Sequence, residues 1–151
     1  MPKVGERAPS FRLPDQDGVE RGLEELLADK RFLVLYFYPR DNTPGCTTEA
    51  CSFRDALPDL RGGGVEVVGI STDPPEAHRR FREKYGLTFI LLSDVEGRVA
   101  RMYGAFREER GTCARKTYVI DSSGVVRAVF EKVKPDDHAL EVLETIRKLS
   151  S

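Results

Sequence analysis

Seven consecutive positions from Phe32 to Tyr38 (FLVLYFY) are apolar or aromatic, and the run stops at Pro39. A run of that kind, without polar alternation, predicts a strand covered on both faces. Val65–Ser71 (VEVVGIS) predicts a second strand, preceded by Gly62-Gly63-Gly64 and closed by Thr72-Asp73-Pro74-Pro75. Phe89–Leu92 is a third short run. Thr117–Ile120 and Val125–Lys132 flank Asp121-Ser122-Ser123-Gly124, a hairpin turn with glycine where a positive φ is needed. Helical spacing fills the intervals, in Ala50, Phe53, Leu57 and Leu60, in Ala77, Phe81 and Tyr85, and in Leu140, Leu143, Ile146 and Leu149. Pro58 interrupts the first stripe and predicts a kink or restart near Asp55. Strands and helices alternate, then a hairpin and a terminal helix follow. That order predicts an α/β fold with a central mixed sheet flanked by helices on both faces.

Composition narrows the class. At 151 residues, one core can bury roughly 68–70% of the unfolded surface. A single domain over residues 1–151 is therefore expected, needing no disulfide or metal staple. Basic and acidic residues number 24 and 25, for a net charge of −1. That balance gives no electrostatic footprint for nucleic acid or an anionic membrane. No apolar run approaches the ~20 residues needed to span a bilayer, and the opening MPKVGERAPSF lacks the apolar segment of a secretory signal. A cytoplasmic location is the expectation. Three cysteines make no disulfide framework and read as free thiols.

The segment from Pro39 to Cys51 (PRDNTPGCTTEAC) carries the chemistry. It leaves the carboxyl end of the most buried strand and enters a helix, where open α/β sheets place their ligands. Cys46 falls near the first helical turn, where unpaired N–H groups and the dipole favour a thiolate. Thr43 is in place to cap that turn or to bond the sulfur or an incoming oxygen. On position alone, Cys46 reads equally well as a small buried hydrophobe. Cys51 has Thr47, Thr48, Arg54 and Asp55 as its helical neighbours, a polar side on which a cysteine gains little from packing. The C-x4-C spacing is neither the C-x-x-C of a disulfide reductase nor that of a zinc knuckle.

YFYPRDNTPGCTTEACSFRD resembles the active-site segment of peroxiredoxins, specifically the bacterioferritin comigratory protein or peroxiredoxin Q subfamily. Pro39, Thr43 and Cys46 meet the family's Pro-x3-Thr-x2-Cys pattern, and Cys51 meets the subfamily's second cysteine. The resemblance runs through VGERAPSFRLPDQDG, VEVVGISTDPPEAHRRFREKYGL, LLSDVEGRVARMYG and RKTYVIDSSGVVR, nearly the whole chain. It implies a thioredoxin-like fold and a thiol-dependent peroxidase acting on hydrogen peroxide and organic hydroperoxides without metal or organic cofactor. In that scheme Cys46 is oxidised to a sulfenic acid, and Cys51 condenses with it to a disulfide. A thioredoxin-type dithiol then reduces the disulfide. Arg115, in ARKTYVID, matches the family's active-site arginine and would hold the thiolate and polarise the O–O bond. Pro39 would shield the sulfur and Thr43 orient the peroxide. The subfamily is mostly monomeric, with some dimers.

Other residues read more plainly. Cys113 lies two residues before Arg115 and would share its face if both lay on one strand. An inert side chain is the simpler reading there, and a second resolving thiol the alternative. His78 and His138 are expected at the surface, without ligand-spaced partners. Glu49 is expected to complement the helix dipole or close a capping box. Asp15-Gln16-Asp17-Gly18 lacks the later acidic ligand of a calcium loop and reads as a turn. A thiol-disulfide oxidoreductase of thioredoxin type, and a non-enzymatic zinc-binding or redox-sensing module, are the competing functions.

Overall fold

The computed structural model describes residues 1–150. In chain order the elements are β1 (Arg12–Pro14), β2 (Glu20–Gly22), α1 (Leu23–Leu27), β3 (Phe32–Phe37), α2 (Pro44–Gly62), β4 (Val65–Ser71) and α3 (Pro75–Tyr85). There follow β5 (Ile90–Ser93), α4 (Arg98–Met102), β6 (Phe106–Arg107), β7 (Thr112–Cys113), β8 (Lys116–Asp121), β9 (Val126–Phe130) and α5 (His138–Ser150). The central sheet has five strands in the order β5-β4-β3-β8-β9. β3 pairs in parallel with β4 and antiparallel with β8, so the sheet is mixed, as expected.

β3 shows why its sequence is apolar without interruption. Val34 and Tyr36 point into a core shared with α2, α3 and α5, whereas Leu33, Leu35 and Phe37 point into a second core shared with α1 and α4. Each full burial of such a side chain contributes roughly 1.5–3 kcal/mol, so both faces hold the strand in the middle of the sheet.

Two expectations about helices need correction. α2 does not restart near Asp55, since one helix runs from Pro44 to Gly62 with Pro58 inside it. Pro58 lies on the exposed side, while Phe53, Leu57 and Leu60 are buried along the other. Burial of that stripe keeps the helix continuous past the missing N–H. In α5 the buried side is Ala139, Val142, Leu143 and Ile146, and Leu140 is 60% exposed. Leu140 therefore does not belong to the stripe. Both histidines are buried rather than at the surface. The Asp15–Gly18 segment is a turn, its Asp15 Oδ1 accepting the N–H groups of Asp17 and Val19 at 2.8 and 3.0 Å.

Candidate active site

Sheet register brings the distant parts of the site together. β3 and β4 end side by side, with Phe37 opposite Ile70. β8 runs the other way and begins at Lys116 opposite Phe37, so Arg115 arrives at the same sheet end as Pro39. From there the chain turns through Arg40–Thr43 into α2.

That turn is fixed by groups far away in sequence. The Asp41 N–H donates to Asp73 Oδ2 at 2.9 Å, and Ser71 Oγ donates to the same oxygen at 2.6 Å. Asp41 Oδ1 accepts from the Tyr38 hydroxyl at 2.5 Å, and Oδ2 lies 2.7 Å from His78 Nδ1. His78 Nε2 lies 2.9 Å from the Leu92 carbonyl, which can only accept, so Nε2 carries a proton. Next to Asp41, Asn42 takes the left-handed conformation (φ 62°). Its Oδ1 accepts from Tyr85 Oη at 3.0 Å and Lys84 Nζ at 3.3 Å. Asp41, Asp73 and His78 are the one group of three metal-type ligands among the described residues. Asp41 Oδ2 already pairs with His78 Nδ1, Asp73 Oδ2 already accepts from the Asp41 N–H and Ser71 Oγ, and the cations Arg80 and Lys84 line the adjoining cleft. The group acts as a latch for the turn.

α2 starts with Pro44 at its first position, where the missing N–H is no loss. Thr43 is the N-cap by backbone, and its carbonyl accepts from the Thr47 N–H at 2.8 Å. Its hydroxyl caps nothing and donates instead to the Arg40 carbonyl at 3.2 Å. Cys46 stands in the first turn, 1% exposed, and packs into the same core as Phe53 and Leu57. Cys51 is half-buried five residues on, and all three cysteines are free thiols.

Glu49, one turn after Cys46, also departs from its expected role. It is fully buried rather than solvated at the helix start, and its Oε1 accepts from Arg115 NH1 at 3.0 Å. Burial pushes its carboxyl up to about 7, against the opposing pull of the Arg115 charge. Its Oε2 has no hydrogen-bond partner. A Cβ at Gly45 would stand 2.5 Å from Arg115 NH2, so only glycine lets the guanidinium lie across the helix start. Arg115 thus bridges Gly45 and Glu49, on either side of Cys46.

Cys113 does not share a strand with Arg115. β7 ends at Cys113 and pairs with β6, and β8 begins only after Arg115. The Cys113 side chain sits in the core on the face opposite Cys46. Burial pushes its thiol up to about 12, which favours the protonated form near neutral pH.

Residues 4–129 match the model of the AhpC/TSA family. The chain belongs to that family. Within it the chain is 45% identical to the bcp peroxiredoxin of Coxiella burnetii over 147 residues, covering 93% of this chain and 96% of the relative. It is 42% identical to the chloroplastic peroxiredoxin Q of Populus jackii, covering 96% of this chain and 68% of that one. The crystal structure of peroxidoxin BcpB from Mycobacterium tuberculosis superposes with a TM-score of 0.93 at 40% identity, each chain covered in full. This peroxiredoxin therefore has the thioredoxin-like fold and the thiol-dependent peroxidase activity of the bcp and peroxiredoxin Q group. Among the described residues no helix is long and apolar enough to cross a membrane.

Proposed function

We propose that Cys46 is the peroxidatic nucleophile and Cys51 the cysteine that resolves it. The thiolate sulfur of Cys46 attacks one peroxide oxygen, and the S–O bond forms as the O–O bond breaks. The sulfur is oxidised by two electrons to a sulfenic acid, and the other oxygen takes a proton and leaves as water or an alcohol. The Cys51 sulfur then displaces the sulfenic oxygen as water, giving a Cys46–Cys51 disulfide. A thioredoxin-type dithiol returns both residues to thiols.

The observation that carries this reading is the arrangement around one sulfur. Cys46 sits in a helix's first turn with the Arg115 guanidinium lying across Gly45 and held by Glu49. In this reading Arg115 stabilises the charge that develops on the leaving oxygen. Pro39, which with Arg115 lines one wall of a cavity, limits the access of water. Thr43 turns its hydroxyl from the Arg40 carbonyl towards bound peroxide. The whole chain works as one catalytic domain, a monomer in a reducing cytoplasm that keeps its donor reduced.

The test is peroxide consumption by Cys46→Ser with a dithiol donor supplied. Serine is close in size but forms no anion near neutral pH, so turnover should be lost while the circular dichroism spectrum is kept. Turnover near that of the wild type would refute the assignment.

A further inference from the structure

Beyond Pro39 and Arg115 the sheet end opens into a cavity of about 360 Å³. The hairpin β6–β7 walls one side, with Arg107 and Arg110, and the chain after β9 walls the other, with Glu131 and Val133. The charges do not cancel. Glu131 Oε1 is 3.3 Å from Lys116 Nζ, and Arg115 is paired with Glu49. Among the described residues Arg107 and Arg110 have no side-chain hydrogen bond or ion pair. Two guanidinium groups thus face a cavity whose aliphatic lining, beyond Pro39 and Val133, is slight. A pocket for neutral alkyl peroxides is expected to be mainly apolar, with few polar groups. This one is cationic, and its volume is at the small end of ligand pockets.

We propose that the cavity selects small organic hydroperoxides that carry a carboxylate, with Arg107 and Arg110 as the residues that determine this specificity. The hydroperoxide end points past Pro39 to Cys46 and Arg115, and the carboxylate lies between the two exposed guanidiniums. Arginine suits the role because its planar fork matches a carboxylate's two oxygens. The chemical step is the one given above, with a hydroxy-carboxylate as the alcohol released. The inference rests on Cys46 being the nucleophile.

The experiment compares a short tertiary hydroperoxide bearing a terminal carboxylate with its methyl ester, which has the same peroxide group and no charge. The second-order rate constant for oxidation of the reduced enzyme is measured for each, at low and at high salt. In the wild type the acid should react faster than the ester by on the order of tenfold at low salt, the lower end of electrostatic steering in a charged cleft. High salt should shrink that ratio. The double variant Arg107→Ser/Arg110→Ser should bring it near one, and Arg107→Glu/Arg110→Glu should invert it in favour of the ester. Equal rates for acid and ester in the wild type, or a ratio that survives both double variants, would overturn the proposal. Failure of the wild type to reduce hydrogen peroxide itself would instead overturn the nucleophile assignment beneath it.

Discussion

Replacing Glu49 by glutamine removes a buried titration whose size can be worked out. The carboxyl moves from an ordinary value of 4.5 to about 7 because it is buried, with Arg115 recovering only part of the cost. At about 1.4 kcal/mol per pH unit, that gap corresponds to about 3 kcal/mol. Between those two values the native protein keeps a proton that the unfolded chain has released. The stability contributed by protonated Glu49 is therefore complete below pH 4.5 and is lost as pH rises through 7. Glutamine at the same position does not titrate. The difference in unfolding free energy, wild type minus Glu49→Gln, should fall by about 3 kcal/mol from pH 4.5 to pH 8 and then level off. Urea unfolding of the reduced proteins, followed by far-ultraviolet circular dichroism at steps across that range, measures it. Groups common to both proteins cancel in the difference. A difference that stays flat with pH would refute the reasoning, because the carboxyl would then titrate where a solvated glutamate does.

Gly45→Ala should leave the fold and urea midpoint close to those of the wild type, since the new Cβ meets only the end of the Arg115 side chain, 2.5 Å from NH2. Its rate with hydrogen peroxide should drop towards that of Arg115→Ala, itself slower by on the order of 100-fold if one charge-stabilising donor is lost. A wild-type rate in Gly45→Ala would show that the observed placement of Arg115 is not the one used in catalysis. Oxidation should also melt the start of α2. Five residues of helix separate the Cα atoms of Cys46 and Cys51 by roughly 8–9 Å, and a disulfide needs them within about 7 Å. Amide exchange from Thr47 to Arg54 should rise on peroxide treatment while β3, β4 and β8 stay protected. Equal exchange in both redox states would remove Cys51 from the resolving role.

What was legible in the chain depended on how local its cause was. The limits of β4 could be read directly, because a strand buried on both faces announces itself by composition and Gly64 and Thr72 bound it. The placement of Cys46 in a first turn and of Thr43 at the N-cap was legible for a similar reason, since proline and glycine beside them mark the start of a helix. Glu49 was misread because a glutamate soon after a helix start ordinarily complements the dipole or closes a capping box, whereas this one lies a turn further in and is buried. Only the antiparallel register of β3 with β8 brings Arg115 over it, from 66 residues away in the chain. His78 failed in the same way, as its partners Asp41 and Leu92 belong to other elements. Pro58 misled because its local penalty was given more weight than the apolar stripe around it, whose burial outweighs it. Cys113 and Arg115 are close in sequence, yet the chain changes sheets between them.

The central claim, that Cys46 takes the peroxide oxygen and Cys51 closes on it, is tested most directly by mapping the oxidised sulfurs. Reduced protein is treated with a single equivalent of hydrogen peroxide, remaining thiols are alkylated, and the peptides are weighed. The wild type should give a Cys46–Cys51 disulfide with Cys113 alkylated, and Cys51→Ser should give a sulfenic acid on Cys46 that dimedone captures. An alkylated Cys46, with the oxygen or disulfide found on Cys51 or Cys113 alone, would contradict the account.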